Sequence, residues 1–135
     1  MAVTVVLQKH ILEEFVLHNE LIDQKNLTLQ IKPEIRFQVF PQKDKNPIAT
    51  ELSVEMGNMD DGSPLYIKLR LRGMFLTVAE KENEKIDATD FHKQALILLF
   101  ETARTMISGV TLMGGMKPFC LPPINPANIN VQKTN

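Results

Sequence analysis

Three histidines, one cysteine, two adjacent glutamates and a short row of alternating cations are the residues of this chain best equipped for chemistry. His10, His18 and His92 are scattered, and His10 and His18 have no acidic partner at a metal-ligand spacing. They read as surface or half-buried histidines. Glu13 and Glu14 are sequence neighbours, and neighbours on a strand point to opposite faces, which makes a poor general acid–base pair. Cys120 lies between Phe119 and Leu121, the setting of a buried, inert thiol rather than a nucleophile. The chain has no glycine-rich phosphate loop, no Gly-x-Ser-x-Gly and no Cys/His ligand spacing. These absences argue against an enzyme, a metal site or a cofactor.

Lys68, Arg70 and Arg72 alternate with Ile67, Leu69 and Leu71, so a strand would present all three cations on one sheet face. One reading is a solvated polar face paired with Glu51 and Glu55 of the preceding strand. The other is a docking patch for an acidic protein partner. Nucleic acid fits poorly, because no aromatic residues interleave with the cations. A second candidate surface is apolar: Phe15, Val16 and Leu17 in succession, then Leu21 and Ile22, and late in the chain Phe119 and Leu121. These residues exceed what one face of a thin sheet needs. They could be core and subunit interface, or they could line a groove for an extended apolar polypeptide.

The elements that would carry these residues fit in one domain of 135 residues. Fifteen Lys and Arg balance 16 Asp and Glu, which leaves no bulk positive charge to grip phosphates. One cysteine excludes an internal disulfide and suits a reducing cytoplasm. Met1 to Leu7 is apolar but has no basic leader. The longest aliphatic or aromatic run, Ala95 to Phe100, is far shorter than the ~20 residues that span a bilayer. A cytoplasmic protein without membrane insertion is the expectation.

Strands dominate the first two-thirds. Residues 27–40 alternate with period two, and Pro33 marks an edge, bulge or bend. Ile48, Leu52, Val54 and Met56 form the apolar side of a second strand, and Ile67, Leu69 and Leu71 begin a third that continues through Val78. Short connections between them favour antiparallel pairing. In the N-terminal stretch Leu7, Ile11, Phe15 and Leu17 fit one face of a strand, while Leu7, Ile11 and Phe15 also sit four apart as on a helix; β-branched Val3, Val5 and Val6 favour the strand. A long helix follows, started at Asp87 and Asp90 and ended at Gly114-Gly115. Leu96, Leu99, Ala103, Met106, Ile107, Val110 and Met113 form its apolar stripe, while Ile97 and Leu98 fall outside it. A helix apolar on two sides is usually covered on two sides, and here the second cover would be another subunit. Pro118, Pro122, Pro123 and Pro126 imply an extended strap after the helix. Residues 1–127 should form the single domain and 128–135 a frayed tail.

Four stretches, Arg72–Phe75, Leu98–Ser108, Gly115–Phe119 and Leu121–Asn125, resemble the SecB export chaperones. Arg72-Gly73-Met74-Phe75 is similar to the family's Gly-Gly-Ile-Phe strand end. Leu98-Leu99-Phe100-Glu101-Thr102-Ala103-Arg104-Thr105-Met106-Ile107-Ser108 resembles its helix, with the Ala-Arg pair. Gly115-Met116-Lys117-Pro118-Phe119 and Leu121-Pro122-Pro123-Ile124-Asn125 resemble the segment that follows, with its Leu-x-Pro-x-Asn. The match covers residues 72–126.

The resemblance implies an α+β domain: a four-stranded antiparallel sheet followed by one long C-terminal helix packed on it. It also implies a homo-oligomer, dimers that pair into a tetramer through their helices, with Ile97, Leu98, Glu101 and Thr105 at the contact. Members hold unfolded preproteins along apolar grooves without nucleotide and pass them to SecA. Other branches serve toxin–antitoxin pairs, and the fold also occurs in small Gram-positive families. On this basis Phe15, Leu17, Leu21, Ile22, Phe119 and Leu121 are the expected client-binding residues.

Three departures stand out. Residues 125–135 are too short and too poor in helix formers to replace the family's second helix. The connection after the first strand is reduced to roughly residues 19–26. The face that is acidic in the family has Glu14 near one acidic position but His18 and Lys68 at others, with Arg70 and Arg72 beside them. That reversal of sign argues against a SecA contact. Two functions follow: a SecB-like chaperone for unfolded clients, or an adaptor that docks a folded partner through Lys68, Arg70 and Arg72.

Overall fold

A computed structural model describes residues 3–19, 33–40, 47–57, 65–79, 88–113, 121 and 131–133. The elements in chain order are β1 (Val3–Asn19), β2 (Glu34–Phe40), β3 (Ile48–Met56), β4 (Leu65–Ala79), α1 (Ala88–Met113) and β5 (Val131–Lys133). They form one sheet in the order β1-β4-β3-β2-β5. β2, β3 and β4 are an antiparallel meander, and β1 returns to pair antiparallel with β4 at the far edge. The four antiparallel strands and the long helix are those expected.

Alternation builds the core. Leu65, Ile67, Leu69, Leu71 and Phe75 of β4 are buried, and so are Leu52, Val54 and Met56 of β3 and Phe37 and Val39 of β2. All lie on the helix side of the sheet, and each such side chain removed from water contributes ~1.5–3 kcal/mol. α1 answers with Phe91, Ala95, Leu96, Leu99, Phe100, Ala103 and Ile107, spaced at steps of three and four. Phe75 and Phe91 meet edge to face, their ring centroids 6.0 Å apart. By length and composition α1 could cross a membrane. This buried stripe instead marks it as the core helix of the domain.

Two glycines fix the packing. Gly57 takes a positive φ of 79° after β3, and a Cβ there would meet the Leu65 carbonyl oxygen at 2.3 Å. At Gly73 a Cβ would come within 2.9 Å of the Phe75 ring, 3.0 Å of Leu99 and 3.1 Å of Thr50 Oγ1. Its absence lets α1 lie close on the sheet. The buried Thr50 hydroxyl donates to the Gly73 carbonyl at 3.1 Å.

The structure differs from expectation in four places. β1 contains two bulges, between Leu7 and Lys9 and between Leu12 and Glu14. Each inserts one residue and inverts the alternation, so Ile11 leaves the face shared by Leu7, Phe15 and Leu17 and is exposed. Met113 ends the helix in solvent rather than on the buried stripe. Residues 131–133, expected in a frayed tail, pair in parallel with Phe37, Gln38 and Val39. There the β2 edge was open to a further strand. Leu121, expected on a surface strap, belongs to the core at 1% exposure.

Candidate functional site

Two surfaces of the domain combine the residues with functional potential. The first is the outer face of α1. Ile97, Glu101 and Thr105 follow one another at steps of four, with Leu98 beside them and Leu112 two turns on. Ile97 is 45% and Leu98 38% exposed, and Glu101, Thr105, Leu112 and Met113 are exposed as well. At about 100° per residue this row lies opposite the buried stripe. Its polar atoms are spent locally: Thr102 Oγ1 donates to the Leu98 carbonyl at 3.2 Å, and Thr105 Oγ1 to that of Glu101 at 3.1 Å. A Cβ added at Gly109 would meet nothing within 4 Å. The structure thus brings the four expected contact residues together on one open helix face.

The expected client residues separate. Phe15 and Leu17 are half-buried against the core from β1. Leu121 is buried, and Arg104 Nε donates to its carbonyl oxygen at 2.8 Å. Leu21, Ile22 and Phe119 lie outside the described residues.

The second surface is the sheet face turned away from α1. Lys68, Arg70 and Arg72 share it, as alternation requires, but acids flank them on both sides. Lys68 Nζ is 3.2 Å from Glu14 Oε1. Arg72 lies between Glu13 of β1, 3.4 Å away, and Glu51 of β3, 3.7 Å away, and its guanidinium is 5.6 Å from the centre of the Phe40 ring. Its Nε faces Glu13 as a charge contact rather than an aligned hydrogen bond. Tyr66 donates to Glu55 at 2.8 Å. Glu13 and Glu14 were expected on opposite faces. The bulge between Leu12 and Glu14 turns both carboxylates toward the cations of β4.

Burial, and after it the negative charge of Glu13, pushes the Glu51 carboxyl above its ordinary value of 4.5, with Arg70 and Arg72 opposing the shift. Among the described residues no group of three or more His, Cys, Asp or Glu is placed to hold a metal. His10 is exposed on β1.

Sequence reasoning missed the apolar outer strip: Val6, Ile11 and Val78, all exposed at the β1–β4 edge on the sheet face away from α1. The polar doublets Gln8-Lys9 and Glu13-Glu14 were the available signal, since each interrupts an alternating run by one residue.

The fold, though not the site, is shared with known structures. The chain is similar over 90% of its length to the Rv1957 SecB-like chaperone of Mycobacterium tuberculosis, solved in complex with a ChAD peptide from the Rv1956 HigA1 antitoxin, with a TM-score of 0.57, 11% identity and 88% of that chain covered. The fold is SecB-like. A protein of unknown function from Streptococcus agalactiae matches with a TM-score of 0.50 and 15% identity, over 90% of this chain and 99% of that one. In sequence, the uncharacterized protein MJ0357 of Methanocaldococcus jannaschii is 29% identical over 125 residues, 90% of this chain and 76% of the relative. No family model matches the chain.

Proposed function

We propose that the protein is a SecB-like chaperone, a cytoplasmic homo-oligomer that binds extended apolar segments of unfolded polypeptide without nucleotide or chemical turnover. The observation that carries the reading is the SecB-like architecture, shared over nearly all of a chaperone chain solved with a bound peptide. Exposed apolar rows on both α1 and β1 accompany it.

The outer α1 face, with Ile97, Leu98, Glu101 and Thr105, is the subunit contact in this proposal, giving a dimer or a dimer of dimers. An isologous contact would set the Leu98 row of one helix against that of its partner. In this proposal Phe15 and Leu17 contact client segments, together with Leu21, Ile22 and Phe119. Leu121, buried in the core, is not among the client contacts in this reading.

An adaptor that docks a folded partner through Lys68, Arg70 and Arg72 is the second reading. It needs those charges to be available, and the pairing of Lys68 with Glu14 and of Arg72 with Glu13 and Glu51 offsets them within the domain. The same internal pairing leaves no concentrated charge for SecA. The chaperone reading therefore takes precedence.

The test is light scattering by a chemically unfolded model substrate diluted into buffer with stoichiometric protein and no ATP. Suppressed aggregation supports the proposal, and an unchanged scattering curve refutes it.

A further inference from the structure

The bulge between Leu7 and Lys9 builds a small surface site. Val5 and Leu7 face the helix side, and an unbroken strand would send residues 9 and 11 the same way. The extra residue instead turns Lys9 and Ile11 outward, where the register sets Lys9 opposite Met74 and Ile11 opposite Arg72. Together with Gln8, these four residues line an open depression of about 560 Å³. Ile11 and Met74 supply apolar walls, and exposed Val6 and Val78 continue the apolar strip along the strands. Gln8, Lys9 and Arg72 supply the polar rim.

The rim charges are not equivalent. Arg72 is held by Glu13 and Glu51. Lys9 is exposed and, among the described residues, has no carboxylate partner. An occupant therefore gains by bringing one carboxylate to Lys9 while laying an apolar group on Ile11 and Met74. A polyanion fits less well, since Glu13 and Glu51 stand directly behind Arg72. A second copy of the same face also fits poorly, because a two-fold contact would set Lys9 against Lys9 or Arg72, and among the described residues no acid lines the depression.

We infer that this depression is a docking site for an extended polypeptide segment in which an acidic residue adjoins large apolar ones, with Lys9 reading the acid and Ile11 and Met74 the apolar side chain. It lies on the sheet face away from α1 and stands independently of the chaperone reading.

The experiment titrates two blocked peptides, one centred on Leu-Asp-Leu and the other on Leu-Lys-Leu, into the full chain with labelled Ile and Met methyl groups. The expected result is selective binding of the acidic peptide, with shifts at Ile11 and Met74. Affinity should fall roughly three- to tenfold in Lys9→Glu and be retained in Lys9→Arg. Lys9 is exposed, so both variants fold, and the methyl spectrum reports this directly. Equal binding of the two peptides, shifts confined to Ile97 and Leu98, no binding at millimolar peptide, or indifference to Lys9→Glu would each overturn the site. So would Ile11 and Met74 shifts that appear on concentrating the protein alone, which would mean a second copy occupies the face. Aggregation suppression can fail while this selectivity holds, and the reverse, so the two proposals are separable.

Discussion

Arg104 Nε donates to the main-chain oxygen of Leu121 at 2.8 Å, while the Nη1 of the same guanidinium meets Glu101 Oε1 at 2.7 Å. One side chain therefore ties Leu121 back onto the helix and holds it in the core. Arginine suits this role because its fixed fork donates in two directions at once, which a lysine ammonium on a flexible stem does less well. Arg104 belongs to the Ala-Arg pair in the helix motif, and the bond gives that motif a structural reason.

Removing the guanidinium should be costly and removing its exposed partner should not. Arg104→Ala strips a partly buried carbonyl of a charged donor, and urea unfolding should show a loss of ~1.5–3 kcal/mol. Glu101→Ala should change stability by no more than ~0.5 kcal/mol, because that i,i+3 pair is exposed to solvent. Equal losses in the two variants would mean that the helix pair, not the Leu121 contact, is what Arg104 supplies.

Gly73 in the sheet and Gly109 in the helix should respond with opposite signs. Gly73→Ala drives a methyl into Phe75, Leu99 and Thr50, all fully buried and unable to give way. It should cost ~1–3 kcal/mol in thermal or urea unfolding. Gly109→Ala meets open space inside a helix and should stabilise the monomer by roughly 0.8–1 kcal/mol. A neutral Gly73→Ala would show that α1 does not lie close at this point.

Glu51 gives a pH signature of known sign. Its folded carboxyl titrates above the ordinary 4.5, so between these two values the native state binds more protons than the unfolded state. The contribution of Glu51 to stability therefore grows as pH falls from neutral toward 4.5 and levels off below it. Denaturation curves over that window should show this component in the parent protein and lose it in Glu51→Gln. Retention of the same slope in Glu51→Gln would assign it to another group.

Much of the fold was legible because its strands obey a strict rule. β2, β3 and β4 alternate without interruption, so Phe37, Leu52, Leu69 and their neighbours could be placed on the core side from spacing alone. α1 was legible for the same reason, and the misfit of Ile97 and Leu98 to its stripe announced a second open face. β1 was not, because a bulge is a change of phase rather than of composition. Reading through the bulges put Ile11 inward and parted Glu13 from Glu14, and both errors hid charge pairs that neutralise Lys68 and Arg72. Such pairs form between strands distant in sequence, and Glu13, Arg72 and Glu51 meet only once β4 lies between β1 and β3. Leu121 was misplaced because local proline density speaks for extended backbone and says nothing about an arginine 17 residues earlier that draws it inward.

The outer α1 face should govern particle size. Leu98→Asp places a charge on the exposed row without touching the buried stripe, so circular dichroism and unfolding should change little. Light scattering coupled to size exclusion should show a shift to smaller particles. A mass unchanged from the parent protein would remove this face from the subunit contact.

The claim that the protein binds unfolded chains is tested most directly by calorimetric titration with a permanently unfolded polypeptide, beside the folded form of the same substrate. Saturable binding of the unfolded chain alone is expected, with a negative heat-capacity change from apolar burial and no dependence on nucleotide. No binding of the unfolded chain, or equal binding of the folded one, would contradict it.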